Sequence, residues 1–580
     1  MDTRHPLHPS ALGGGGIGSR DIRVGPGAPR HPDRGAGSTA GRVGTPLLLG
    51  ELCLAFLAAL MVRLIDLSIL PPDPDDLLHL YAARSYLLDG SLSIFTGTYV
   101  RAADYTRLVA ACLYLFGDSL NAARLPALIS GAGLVAAVYA WMRIEVGRGA
   151  AVLAAATLAL LAPAVEVSTL VRFYALQSLL FWLGAAAIYA ALTKDRSWGA
   201  TAALVAFGLI TWVEAARLQV ISAVGIAGFL AWAALFLTWR LRRTFPVRTL
   251  AIAWAGLLLA AGLVLLGLIQ AGIAAKLYGM YRETAFWATP DRDYYQYYYH
   301  EMSKIFGLLM DLLPLAGLLA LLWFPRPAIY CGTVFITGFL LHSFAGMKGA
   351  RYIFYLLPFF TCIWAMAAWA VTLTIRDRVL AAAGTRAWLS PFVVTAAVGC
   401  FLALIVIKAV PVLEGTARSI AQPGYHRHVD SRDQAWLVTR DMLRPIVMKS
   451  EVFVSDDDLL ADFHVGRADL VLNKSRLLEN NPADEFTRDF RTGTPTISDE
   501  ASIRTVLSCF GSGVILTYEP FLDWLSPESR TLLAENTRRL DLARDFVGFV
   551  WDTPRDAGGT NCERVRGLVL ETAAQRRGAP

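Results

Sequence analysis

The sequence predicts an all-α polytopic membrane domain of about eleven transmembrane helices, followed by a small C-terminal α/β extracytoplasmic domain. Three observations carry this prediction. Of 580 residues, 55% are hydrophobic and only 17% charged, mean hydropathy is +0.47, and the apolar residues come in long blocks, as in a chain that crosses a bilayer repeatedly. The basic residues gather in short loops between those blocks, so the pI near 8.9 reports membrane topology and not a nucleic-acid partner. From Pro411 onward the composition turns mixed, charged and polar, which starts a soluble domain at 411–580.

Residues 1–45 are rich in Gly, Pro, Arg and Ser and show no hydrophobic period, the composition of a disordered tail. The run Gly13 to Gly16 follows no strand and precedes no helix, which argues against a phosphate-binding loop. The membrane domain occupies 46–410. Its first apolar block, 47–69, is too long for a signal-peptide core and lacks a small-residue cleavage pattern, so it stays as a membrane helix. A first outer loop, 70–120, carries two candidate surface helices. The second, Tyr105 to Phe116, has twelve residues and contains Arg107, whereas a span needs roughly 20, so it does not cross.

Further spans read as 121–142, 149–166, 173–193, 199–215, 219–239, 249–271, 305–324, 328–345, 352–374 and 389–410. With the N-terminus cytoplasmic, the cytoplasmic loops hold twelve cations: Arg143, Arg148, Lys194, Arg196, Arg240, Arg242, Arg243, Arg248, Arg326, Arg376, Arg378 and Arg386. The short outer loops and their edges hold four: Arg172, Arg217, Lys348 and Arg351. This asymmetry sets a multi-pass protein of the cell inner (plasma) membrane with its C-terminal domain outside.

The stretch from Pro71 to Arg84 leaves the first helix with three carboxylates. Asp73 and Asp75 sit in prolyl turns, and Asp76 is placed to cap a helix starting at Leu77. His79 falls four residues after Asp75, beside the acids on a short helix. Leu77, Leu80, Leu87 and Leu88 fall on the other side, as in a helix lying in the membrane surface. The plainer alternative makes Asp76 an N-cap only and the other acids solvated turn residues.

In this topology Asp75, Asp76, Arg101, Arg172, Glu214, Arg217, Lys348 and Arg351 reach one interface, together with an outer loop, 272–304, holding Tyr294, Tyr295, Tyr297, Tyr298 and Tyr299. Acids and cations converging under such a loop suit an anionic lipid-borne substrate. Singly, each cation also reads as a headgroup anchor and the tyrosines as an interfacial belt.

The chemistry follows from the compartment. No nucleotide-sugar pool exists outside the membrane and no Gly-rich nucleotide loop is present, so an activated sugar would arrive on a lipid such as polyprenyl phosphate. As the sugar leaves, the phosphate gains about one negative charge for Arg and Lys to stabilise. The acceptor hydroxyl must lose a proton, which asks for a carboxylate base, and Asp75 is the candidate.

Asp75-Asp76, with Arg84 and Gly90 after them, then Leu115-Phe116-Gly117-Asp118-Ser119-Leu120-Asn121-Ala122-Ala123-Arg124-Leu125-Pro126, resembles the first outer loop of GT-C glycosyltransferases. The similarity is to the branch of protein O-mannosyltransferases, lipid A aminoarabinose transferases and Rgt-type galacturonosyltransferases. It covers roughly 47–410, and Lys348-Gly349-Ala350-Arg351-Tyr352 with Pro358 is similar to the family's late Lys/Arg-Tyr element. Asp76 stands where the family has Glu, His79 near its Tyr, and Arg101-Ala102 at its Lys-Pro site. An arginine keeps the cation there but presents a planar fork. The resemblance implies catalytic Asp75 and Asp76, substrate contacts from His79, Arg84, Arg101, Arg172, Glu214, Lys348, Arg351 and Tyr352, and inverting transfer from a polyprenyl-phosphate sugar donor to a lipid, glycan or protein acceptor. The alternative from another class is a transporter or flippase of a lipid-linked glycan, which would show charged or broken helices in matched halves near the midplane.

In the soluble domain, strands are expected at Val452–Ser455, Leu470–Leu472, Val514–Thr517, Val547–Trp551 and Val565–Leu570, with helices near 457–464 and 527–539. Ser455-Asp456-Asp457-Asp458 has the composition of a divalent-cation site, but a strand end and a capped helix start explain it with less. No cofactor is otherwise expected. Five cysteines, Cys53, Cys112, Cys331, Cys362 and Cys400, lie in apolar segments. Only Cys509 and Cys562 lie in the soluble domain, where they either bridge or stay as two buried thiols.

Overall fold

The structure is a computed structural model. It describes residues 45–194 apart from 66, 244–283, 290–383, 431–472, 486–553 apart from four single positions, and 560–578, with scattered residues near 199–242 and 393–399. The expected tail, the expected spans 199–215, 219–239 and 389–410, and with them Glu214 and Arg217, lie wholly or mostly outside the described residues.

Among the described residues, five helices are long and apolar enough to cross a membrane: Pro46–Leu64, Leu120–Glu145, Tyr174–Ala191, Pro325–Phe344 and Ala350–Ala381. Helices α1 (Thr45–Leu64), α2 (Pro74–Asp89) and α3 (Ala103–Phe116) are followed by α4 (Leu120–Glu145), α5 (Arg148–Leu160), α6 (Ala162–Thr169) and α7 (Tyr174–Lys194). The expected span 149–166 is instead the pair α5 and α6, bent by 57°. Pro163 at the start of α6 has no N–H to continue the helical ladder. The expected span 305–324 likewise breaks into helices Tyr297–Phe306, Leu308–Asp311 and Leu313–Trp323. Gly307 at φ +52 and Pro314 interrupt it. The chain is a multi-pass membrane protein.

Helix α2 starts earlier than the sequence suggests. Asp73, not Asp76, is its N-cap: the Asp73 carboxylate accepts the Asp75 N–H (2.7 Å), Asp76 accepts the Asp73 N–H (3.3 Å), and Pro74 occupies the first turn, where its fixed φ is already helical. Nor is α2 a surface float. Leu77 and Leu80 are buried within the protein, and only Leu87 and Leu88 face out. Helix α3, at 14 residues, is too short to cross, as its length requires. Between α2 and α3 stands a hairpin of β1 (Ser93–Ile94) and β2 (Gly97–Thr98).

The C-terminal sheet follows helix Ser431–Lys449. It is a six-stranded sheet in the order β5-β4-β3-β6-β8-β7, with β3 (Val452–Ser455), β4 (Leu470–Leu472), β5 (Thr496–Ile497), β6 (Ser512–Tyr518), β7 (Arg538–Asp541) and β8 (Phe546–Asp552). The strands β5, β4, β3 and β6 run parallel, and β8 and β7 are antiparallel. Val565–Leu570 is not a strand but lies within helix Thr560–Gly578. Val565 and Val569, four residues apart, are both buried on one helical face. That face packs on helix Glu500–Cys509, and Cys509 and Cys562 are disulfide-bonded with Cα atoms 5.1 Å apart.

Candidate active site

The N-terminus of α2 puts two adjacent carboxylates to different uses. Asp76 is fully buried and faces inward. Its Oδ1 accepts the Val171 N–H (2.7 Å) and its Oδ2 lies 3.9 Å from Arg124. Arg124 is also buried and donates to the carbonyls of Leu67 (3.0 Å), Leu70 (3.1 Å) and Pro71 (2.9 Å). The Ala-Arg-Leu-Pro element at the start of α4 therefore ties down the chain that leads into α2.

Asp75 is partly open, its side chain a quarter exposed. Its Oδ2 accepts Arg172 (2.7 Å) and Arg351 (3.0 Å). Arg172 comes from the turn between α6 and α7, next to Val171, so adjacent residues of that turn engage adjacent acids of α2. Arg172 also lies 3.4 Å from both the Asp75 carbonyl and the Tyr99 hydroxyl. Arg351 opens the 3-10 turn Ala350–Leu356, and both guanidiniums lie over the Tyr174 ring. The Arg101 Nε is buried and has no hydrogen-bond partner among the described residues.

Burial alone would raise all three carboxyls. For Asp75, Arg172 and then Arg351, Arg491 and Arg101 outweigh it and hold the carboxyl at about 2. For Asp76 burial prevails over Arg124 and lifts the carboxyl to about 7, and for Asp73 burial and the Asp75 charge push it up. Neighbouring carboxyls pushed in opposite directions are the electrostatic mark of divided roles.

The remaining sequence candidates separate into those near Asp75 and those employed elsewhere. His79 is buried between Tyr99 and Tyr105, and its Nδ1 pairs with the Thr106 hydroxyl (2.9 Å) rather than with an acid. Burial and then Arg172 hold the imidazole well below its ordinary value. Arg84 forms a surface pair with Asp118 (2.9 Å). Tyr352 is buried beneath Arg351. Lys348 is a helix C-cap: its ammonium donates to the carbonyls of Ser343 (2.5 Å) and Ala345 (2.6 Å), and burial and then Arg282 bring it down to about 8. Tyr298 of the aromatic run is buried near it, whereas Tyr294, Tyr295 and Tyr299 are exposed.

In the acidic run before Ala461, Asp457 caps a helix and Asp458 accepts the Thr494 hydroxyl (2.6 Å). Among the described residues no three His, Cys, Asp or Glu side chains converge as a metal would need. Arg124 and Arg491 escaped the sequence reading. Arg124 stood in a quoted motif without a role, and Arg491 lies far from Asp75 along the chain with no motif around it.

The fold is a helical membrane bundle with a carboxylate at the start of its first loop and arginines brought to it from two later turns. No family model matches the sequence, and no curated protein does. Among solved structures, ArnT from Cupriavidus metallidurans bound to undecaprenyl phosphate is similar with a TM-score of 0.52 at 13% identity, over 87% of this chain and 97% of that one. The oligosaccharyltransferase of Archaeoglobus fulgidus in its apo form is similar with a TM-score of 0.50 at 13% identity, over 84% and 72%. At such identity the likeness is one of fold.

Proposed function

We propose that this protein is an inverting glycosyltransferase that moves a sugar from a polyprenyl-phosphate carrier to a hydroxyl of a lipid, glycan or protein acceptor at the outer face of the cytoplasmic membrane. The observation that carries the proposal is the Asp75 carboxylate held between Arg172 and Arg351. The fold shared with an ArnT bound to undecaprenyl phosphate supports the carrier class. The bias of twelve cations against four supports a cytoplasmic N-terminus, with the Asp75 end of the bundle and the soluble domain outside.

In the resting protein Asp75 is the anion that the two arginines bind. A carboxylate held at about 2 is a weak base at neutral pH. The donor phosphate competes for the same guanidiniums, and Arg351, 41% exposed, is the one free to turn toward it. As it does so, Asp75 regains basicity. The acceptor oxygen then attacks the anomeric carbon, its proton passes to Asp75, and the carbon–oxygen bond to the phosphate breaks from the opposite face. The leaving polyprenyl phosphate takes the electron pair and becomes a dianion stabilised by Arg172, Arg351 and Arg101. Asp76 keeps α2 in place.

The bent pair α5–α6 is the one observation that favours a transporter of a lipid-linked glycan. Its bend, however, leads into the turn that brings Arg172 to Asp75, with the charges at helix ends rather than along a midplane path. Mass spectrometry of lipid A, glycans and envelope proteins tests the proposal. A deletion strain and one carrying Asp75→Asn should both lack the same sugar. An envelope left unchanged by Asp75→Asn would overturn it.

A further inference from the structure

The hairpin of β1 and β2 closes on a two-residue turn, Phe95-Thr96, whose first residue stands at φ +52. Tight hairpins ordinarily give such a place to glycine, because a side chain there strains the backbone. An aromatic residue held in it marks a position that its surroundings over-determine. Here the surroundings grip the ring. The Arg576 guanidinium, from helix Thr560–Gly578, lies 3.9 Å from the Phe95 ring centroid, and the Tyr81 ring of α2 lies 5.4 Å away on the centroid-to-centroid line. Asp462 of helix Asp458–Val465 ties these two neighbours together, accepting the Tyr81 hydroxyl (2.7 Å) and Arg576 (3.2 Å), and Arg576 also donates to the Thr494 hydroxyl (2.9 Å). Beside the ring, the Thr96 N–H donates to the Thr492 carbonyl (3.3 Å), and a Cβ on Gly97 would strike the Arg491 backbone. The hairpin tip is thus seated between α2 and the elements around the C-terminal sheet.

The base of the same hairpin leads to Asp75. The Tyr99 N–H donates to the Leu92 carbonyl (2.9 Å), which closes the base and joins Tyr99 to the tip as one piece. Tyr99 is buried, meets His79 of α2 edge-on with ring centroids 5.1 Å apart, and places its hydroxyl 3.4 Å from the Arg172 Nη1. Arg172 in turn holds Asp75 at 2.7 Å. Contacts therefore run without a gap from Arg576 through Phe95 and Tyr99 to the buried guanidinium that faces Asp75. A guanidinium fixed in direction before an anion arrives binds it with less reorganisation.

We propose that Phe95 is a positioning residue for the Asp75–Arg172 pair: docked between Tyr81 and Arg576, it fixes the hairpin and, through Tyr99, aims Arg172 at the donor phosphate. The inference rests on the glycosyl-transfer reading and deepens it. It gives the C-terminal part of the chain a hold on the site without a side chain of its own in the reaction.

The test is direct binding of undecaprenyl phosphate to the full-length protein in detergent, read by native mass spectrometry with thermal melting alongside. Phe95→Gly suits the turn's φ and removes only the ring, so melting should stay near that of wild type while binding weakens about fivefold, the order expected when a binding group loses its fixed direction. Phe95→Tyr, which keeps an aromatic face for Arg576, should bind as wild type does. Tyr99→Phe should weaken binding to a similar extent, and the double variant Phe95→Gly with Tyr99→Phe should be about as weak as either single one, because both act through Arg172. Phe95→Leu keeps the strained φ and the apolar bulk but loses the ring face, and reads the same contact if the glycine variant does not fold. Wild-type binding by Phe95→Gly, or by Phe95→Leu in its place, overturns this inference and leaves the proposed function standing. Losses that multiply in the double variant show that Phe95 does not act through Tyr99, and overturn it as well. So does weaker binding that comes with lowered melting and is not recovered in Phe95→Tyr, which makes Phe95 structural. Failure of the wild-type protein to bind overturns both readings.

Discussion

Replacing Asp75 with asparagine has two separable effects. The amide keeps the shape but cannot take a proton, so transfer should fall at least about 100-fold. It also removes the anion from between two arginines. A carboxyl held at about 2 against an ordinary 3.8 contributes about 2 kcal/mol to folding at neutral pH. Because the folded value is the depressed one, that contribution is fully present above the unfolded value of about 4 and is lost only as pH falls through about 2. Arg172, 2% exposed, is then left as a buried cation without its nearest anion, whereas Arg351 can turn to water. The total loss should be about 2–4 kcal/mol. Thermal melts in detergent at pH 7 read the stability part, and sugar content of the envelope in a deletion strain reads transfer. Adding Arg172→Gln to Asp75→Asn should restore much of the melting temperature and none of the transfer. An Asp75→Asn protein that keeps more than about a tenth of the rate would sink the general-base role. One that melts as wild type does at pH 7 would sink the electrostatic argument.

Lys348→Met should lower the melting temperature by removing the cap on the carbonyls of Ser343 and Ala345 while leaving undecaprenyl phosphate affinity unchanged; weaker binding without a melting change would give Lys348 a phosphate role. A cysteine introduced at 240–248 should resist a membrane-impermeant thiol reagent in intact cells and one at 272–304 should react, and the reverse labelling would invert the topology. Cys562→Ser opens a bridge spanning 53 residues and should destabilise the soluble domain by about 4 kcal/mol; non-reducing peptide mapping of the wild-type protein should recover the bridged pair, and free thiols at both positions would refute it. Asp76, lifted to about 7, favours folding most when protonated and loses that contribution as pH rises through about 7. Wild-type stability should therefore fall between about pH 4 and 7 and level off above that, and Asp76→Asn should flatten the fall; equal slopes would contradict the raised value.

Much of this was legible in the sequence because it is written in local patterns. Apolar blocks long enough to cross, the short α3, most strands of the sheet and the two cysteines outside the apolar blocks all follow from length, period and composition. What local patterns did not give was decided by the third dimension. His79 has the spacing to meet Asp75 on a helix, but Tyr99, Tyr105 and Thr106 close around it from a neighbouring segment. Lys348 has the charge to hold a phosphate, but the end of helix Pro325–Phe344 offers it unpaired carbonyls at shorter range. Val565 to Leu570 alternates enough to pass for a strand, yet a four-residue spacing of buried valines serves a helix equally well. Arg491 has no local pattern at all, since its place depends on two turns meeting from distant parts of the chain.

The pair Asp75-Asp76 shows how one dipeptide acquires two roles. Both side chains leave the first turn of the same helix, and in isolation their carboxyls would titrate alike. Asp76 turns inward, where burial makes its charge unfavourable and a backbone N–H and Arg124 fix its position. Asp75 turns toward the opening, where arginines from two other segments make its charge favourable. The clamp that stabilises Asp75 also suppresses it as a base, so the reaction proposed here requires the donor to bind first. Until a phosphate draws Arg351 away, an acceptor hydroxyl beside Asp75 keeps its proton. Acceptor bound without donor would thus be unreactive by construction, and the order of binding would be set by competition between two anions for the same guanidiniums.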